Sequence, residues 1–119
     1  MVNNPLIQIG ALASALQTFA DERDWPKYHS PKNLAMALTG EVGELVEIFQ
    51  WQTEAQSWQA AQTPATAQAV RDELADVLMY LVRLSSVLGV DLNEAVSQKL
   101  AKNAIKYPAG DATSFFENR

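Results

Sequence analysis

The chain has 119 residues, 48% of them apolar, with a net charge of −5 and no cysteine. That length allows one domain with a core, near the small end of what folds alone. The composition excludes disulfides and thiolate metal sites and argues against a surface for a nucleic acid polymer. No stretch of about 18 uncharged apolar residues reads as a membrane span. The opening MVNNPLIQIG lacks the basic region of a signal peptide, and a cysteine-free chain fits a cytoplasmic protein.

In chain order, Asn4 and Pro5 have the form of a helix start, cap followed by proline. The expected first helix runs from there to about Glu22, with Leu6, Ile9, Leu12, Leu16 and Phe19 as its apolar stripe. The connector RDWPKYHS, residues 23–30, holds Trp25, Tyr28 and His29 around Pro26 and cannot be regular helix there. Its aromatics suit either a cap over one end of a bundle or the wall of a binding pocket. Ser30-Pro31 opens a second helix, expected to reach about Glu54. Residues 55–63, AQSWQAAQT, read as an extension of that helix or as a loop. Thr63-Pro64 is a third such start, for a helix to about Leu88 that Gly89 stops. Asp91 and Glu94 resemble a capping box for a fourth helix, Leu92 to about Lys106, ended by Tyr107-Pro108-Ala109-Gly110. Residues 1–110 are thus expected to form one helical domain, and 111–119 a loosely attached tail that Phe115 and Phe116 could pin.

No segment alternates with a period of two. Four helices with short connections specify an all-α four-helix bundle. The third expected helix is apolar on nearly every side, since its only charges between Leu74 and Leu88 are Asp76 and Arg83. Such a helix must be covered on more than one face. A homo-oligomer, dimer or tetramer, follows, with this helix near the interface and Met79 and Val82 as expected contacts.

The chemistry is carried by EVGELVEIFQW in the second helix and DELADVLMYL in the third. Leu34, Leu38, Leu45 and Ile48 fall on one stripe, and Glu41 falls inside it, with Glu44 at its edge beside Ala37 and Ile48. Glu73 and Asp76 repeat the i, i+3 spacing in the other helix. Carboxylates so spaced lie about 5–6 Å apart at Cβ. Two unit charges at that separation repel by roughly 3 kcal/mol at an effective dielectric of about 20. Any single ExxE is usually a solvated surface pair; two of them on apolar helices point to a bound divalent cation. With oxygen donors, no cysteine and one histidine, the donor set suits Mg2+, with Mn2+ as a substitute. A di-iron site would want an ExxH pair, which the chain lacks.

The segments FADERDWPKYHSPKNLAMALTGEVGELVEIFQW, DELADVLMYLVRL and KLAKNAIKYP, spanning about residues 19–108, resemble the MazG-like all-α nucleoside triphosphate pyrophosphohydrolases. Within these the likeness is to the small dCTP pyrophosphatase branch. It implies a magnesium-dependent hydrolase that converts a deoxynucleoside triphosphate, dCTP or a modified dCTP, to monophosphate and pyrophosphate. By that resemblance Glu41, Glu44, Glu73 and Asp76 are the metal ligands, with Glu41 or Glu44 also the candidate general base. Asn103, Lys106 and Tyr107 would meet the triphosphate, and Trp25, His29 and Trp51 would line the base and sugar pocket, one of them from a neighbouring subunit. The dCTP-cleaving members carry a histidine where Leu16 stands here. A non-catalytic helical module that binds a nucleotide or a partner protein is the alternative; it has no need of four convergent acids.

Overall fold

In the computed structural model, which describes residues 5–110, the chain forms α1 (Gly10–Glu22), a 3-10 turn (Pro26–Tyr28), α2 (Pro31–Phe49), α3 (Glu54–Ser57), α4 (Ala67–Leu88) and α5 (Leu92–Lys106). No strand occurs among the described residues. They divide into two compact units, Ile9–Gly89 and a second one of residues 5–8 with 90–110. In the larger unit α4 packs mainly against α2 and, over a shorter length, against α1. Its buried apolar residues are Ala20 of α1, Leu34 of α2, Val70 and Val82 of α4, and Ala60 between α3 and α4. Small side chains at two of these five positions let backbones approach closely. Val82, expected at an interface between subunits, is core within one chain, with none of its surface exposed.

Three helix boundaries differ from expectation, each for a visible hydrogen-bonding reason. α1 begins at Gly10, not at Pro5, with Ile9 as an N-cap that makes no side-chain bond. Upstream, the Ile7 amide donates to Asn93 Oδ1 of α5 at 3.1 Å, so this segment is tied within the smaller unit instead of entering a helix. Asn4 and the tail 111–119 lie outside the described residues. α2 ends at Phe49, short of Glu54, because Thr53 starts a new helix. The Thr53 hydroxyl accepts from the Gln56 amide at 3.1 Å, and the Gln56 side chain accepts from the Thr53 amide at 2.9 Å. This reciprocal box needs Thr53 in an extended conformation, which breaks the chain just before it. α4 begins at Ala67, three residues beyond Pro64. The Thr63 hydroxyl donates to the Gln59 carbonyl at 2.8 Å and is therefore not a cap; the Thr63 carbonyl instead accepts from Ala67 at 2.8 Å.

The other ends behave as their sequences demand. Ser30 Oγ accepts from the Asn33 amide at 3.1 Å with Pro31 at the first position of α2. Gly89 closes α4 at φ 69°, a left-handed conformation that glycine adopts without strain. Asp91 Oδ1 caps α5 by accepting from Glu94 at 3.1 Å.

The end of α1 sets the connector. Asp24 takes φ 57° although it is not glycine. Its amide donates to the Asp21 carbonyl at 3.2 Å and the Trp25 amide to the Ala20 carbonyl at 2.9 Å, the paired bonds of a Schellman motif. Aspartate tolerates the left-handed region better than most residues, and this turn delivers Trp25 to the inner side of the connector. Asp24→Gly is expected to hold or slightly raise stability in urea unfolding. Asp24→Val should lower it by about 1–2 kcal/mol through backbone strain; equal stability of the two variants would show that the turn is not strained.

Candidate active site

The α2–α4 seam carries the acids. On α2, Glu41 continues the stripe that includes the buried Leu34, and on α4 Glu73 follows the buried Val70 by three residues. Packing these stripes together brings one carboxylate oxygen each of Glu41, Glu73 and Asp76 within 4.8 Å of one another. All three side chains are half-buried. Glu41 Oε2 and Glu73 Oε2 are shielded from solvent with no hydrogen-bond partner. No lysine or arginine of the larger unit forms an ion pair with any of the three. Glu44 lies one turn on, exposed, and is not among the three converging residues.

Burial, with the neighbouring Glu41 and Glu44 carboxylates, pushes Glu73 from 4.5 up to about 7. A hydrogen bond from Glu73 works to lower Glu41, but burial and the charges of Glu44 and Asp76 outweigh it, and the net shift of Glu41 is upward. Between two carboxylates such a bond requires one shared proton. The cluster therefore accommodates its charges by retaining a proton, or by holding a cation whose ligands are hard oxygens.

Beside the acids lies a cavity of about 500 Å³. α1 supplies Leu12, Leu16 and Phe19 to its wall, the connector Trp25 and His29, α2 Leu34, and α4 Asp76, Met79, Tyr80 and Arg83. Asp76 thus belongs both to the acid cluster and to the cavity. Trp25 is held edge-on to Phe19 with ring centroids 5.6 Å apart, and the Arg23 guanidinium stacks on Phe19 at 3.4 Å. Arg83 Nε donates to His29 Nδ1 at 3.0 Å and Arg83 Nη1 to Gln17 Oε1 at 2.6 Å. Since arginine can only donate, Nδ1 of His29 is unprotonated. Burial and the Arg83 charge both lower the His29 pKa.

The residues singled out from sequence are thus distributed unevenly. Glu41, Glu73 and Asp76 converge, and Trp25 and His29 line the adjoining cavity. Trp51 stands 89% exposed just beyond α2 and is not part of that wall. Asn103, Lys106 and Tyr107 belong to the smaller unit, where the Asn103 carbonyl accepts from the Tyr107 amide at 2.7 Å and the Lys106 ammonium lies 5.2 Å from the Tyr107 ring. Sequence reasoning missed Met79, Tyr80 and Arg83 as wall residues. They follow Asp76 at i+3, i+4 and i+7, so the helical period from one acid would have found them.

The model of the MazG-like family matches residues 37–117. The chain is 48% identical over 96 residues to human dCTP pyrophosphatase 1, covering 81% of this chain and 56% of that protein. It is 49% identical over 90 residues to the rat dCTP pyrophosphatase 1, covering 76% and 53%. The chain thus spans about half the length of the curated relatives it matches. A crystal structure of a pyrophosphatase from Archaeoglobus fulgidus superposes with a TM-score of 0.78 at 38% identity, covering 91% of this chain and 99% of that one.

The raised Glu73 pKa has a consequence for stability without metal. The folded state holds a proton that the unfolded chain releases near 4.5, so stability falls as pH rises from there through about 7. In chelator, the melting temperature should drop between pH 5 and pH 8 (roughly the span of that titration) more for wild type than for Glu73→Gln. Parallel pH profiles for the two proteins would show that Glu73 titrates normally.

Proposed function

Because this chain belongs to the MazG-like family, we propose that it is a magnesium-dependent pyrophosphohydrolase that cleaves dCTP, or a modified dCTP, to the monophosphate and pyrophosphate. The observation that carries this reading is the pair of shielded, unpartnered oxygens, Glu41 Oε2 and Glu73 Oε2, in a carboxylate cluster sharing Asp76 with an aromatic-lined cavity. Relatives that are dCTP pyrophosphatases support the substrate class.

The all-oxygen donor set and its orphaned atoms fit a divalent cation, and Glu41, Glu73 and Asp76 would hold it. When bound, such an ion supplies charge neutralisation at phosphate oxygens and acidifies a bound water. The protein's own contribution is positional. The cavity takes the base and sugar against Trp25, His29 and Leu16, and Asp76 at its edge fixes where the phosphates begin. Glu44, exposed beside the cluster, accepts a proton from the water that attacks the α-phosphorus. The bond between that phosphorus and the bridging oxygen breaks, and pyrophosphate leaves. Asn103, Lys106 and Tyr107 are assigned to the triphosphate by resemblance to the family.

The proposed fold is an all-α four-helix bundle, assembled as a homodimer or homotetramer in the cytoplasm. Support for assembly comes from α4, where Leu74, Leu78 and Leu81 are 54%, 47% and 40% exposed on the face opposite Asp76 and Arg83. Trp51 is the aromatic residue that a second copy would cover or share.

Glu41→Gln should abolish magnesium-dependent pyrophosphate release from dCTP while preserving helical content, and magnesium should raise the melting temperature of wild type but not of the variant. Retained turnover would sink the assignment. By light scattering the protein should be a dimer or tetramer, and Leu78→Glu should dissociate it; a monodisperse wild-type monomer would remove the assembly from this reading.

A further inference from the structure

Arg83 is 5% exposed in a cavity whose wall is mostly apolar, and among the described residues it has no carboxylate partner. Burying a guanidinium this way is unfavourable unless its donors are met. Nε and Nη1 are met, by His29 at 3.0 Å and Gln17 at 2.6 Å. Both partners are neutral, so the positive charge is left uncompensated. Nη2 has no hydrogen bond to any described residue. The two existing bonds fix the guanidinium plane from α1 and from the connector, so the remaining Nη1/Nη2 edge is pre-oriented. Arginine never deprotonates in a protein and only donates. The remaining Nη1/Nη2 edge therefore suits a ligand with adjacent acceptors.

Position narrows the ligand. Arg83 follows Asp76 by two turns on one face of α4, about 10 Å along the axis. That is the reach of a nucleoside whose phosphates lie at the acids and whose base lies at Arg83. On its pairing edge cytosine presents two adjacent acceptors, N3 and O2. Uracil and thymine carry an N3–H there, which would meet a guanidinium N–H head-on. We propose that Arg83 is the specificity-determining residue of the cavity: its Nη1/Nη2 edge donates to N3 and O2 of cytosine and so selects cytosine over uracil and thymine. In a wall where Leu16 offers no hydrogen bond, Arg83 is the one always-charged donor, with an edge that matches two adjacent acceptors. The inference rests on the pyrophosphohydrolase reading for its substrate, but it concerns recognition and not bond cleavage.

The test separates the two. Calorimetric binding of dCMP, dUMP and dGMP in chelator reads the cavity alone, and kcat/KM for dCTP and dUTP with magnesium reads the reaction. Wild type should bind dCMP in preference to dUMP and dGMP. Arg83→Met should cut the dCMP-to-dUMP preference by about 5- to 150-fold, the worth of one bidentate contact. Arg83→Lys, which keeps the charge without the fork, should lose most of it as well. Gln17→Leu loosens the guanidinium without removing it and should shift the preference the same way by less, which keeps the test decisive if Arg83→Met fails to fold. An unchanged preference in Arg83→Lys and Gln17→Leu, no discrimination by wild type, or tighter binding of dGMP would overturn the proposal. Discrimination in binding without hydrolysis of any triphosphate would overturn the reaction instead and leave Arg83 as the base reader.

Discussion

The seam between α2 and α4 is the constraint on which the larger unit turns. Glu41 occupies a position that the apolar stripe of α2 would otherwise give to a leucine, and Glu73 and Asp76 face it from α4. Three carboxylates inside 4.8 Å, with no lysine or arginine of the larger unit paired to them, oppose folding. The unit tolerates them because Leu34, Val70 and Val82 close the seam with buried apolar surface. The upward pKa shifts of Glu41 and Glu73 measure the same conflict from the proton's side. Such a cluster could hold a metal ion, which the proposed chemistry requires.

α4 serves two environments at once. The face with Asp76, Met79, Tyr80 and Arg83 looks into the cavity, while Leu74, Leu78 and Leu81 lie exposed on the opposite face. A stripe of three leucines exposed to this degree is unusual for an isolated chain. The same feature of the sequence, a helix apolar all round, therefore has two causes. One side sets Met79 and Tyr80 beside Asp76 and Arg83 in the cavity wall, and the other presents leucines that the proposed assembly would cover.

The connector shows how a site wall is built without regular structure. The Schellman turn at Asp24 orients Trp25, the 3-10 turn at Pro26 carries the chain to His29, and Asn33 Nδ2 donates to the Tyr28 carbonyl at 3.0 Å to pin it to α2. Arg83 then binds His29 from α4. Each link is polar, and all but the one from Arg83 are local, which holds aromatic side chains at the cavity without drawing them into the core.

Periodicity and local hydrogen-bonding chemistry made much of this legible in the sequence. The stripe containing Glu41, the repeat of its spacing at Glu73 and Asp76, the stop at Gly89 and the cap at Asp91 all depend on residues within a turn or two of one another. Where expectation failed, a choice between local options had been made at a distance or by an overlooked partner. Asn93 claimed the Ile7 amide, the Gln59 carbonyl took the Thr63 hydroxyl, and Gln56 turned Thr53 into a cap that ended α2 early. The sequence by itself determined that two apolar helices each carry an i, i+3 acidic pair, because the helical period fixes which residues share a face. Only the tertiary structure decided that Glu41, Glu73 and Asp76 converge within 4.8 Å, and that Arg83 sits buried between Gln17 and His29. Those juxtapositions depend on the packing of separate helices, for which no spacing along the chain supplies a measure.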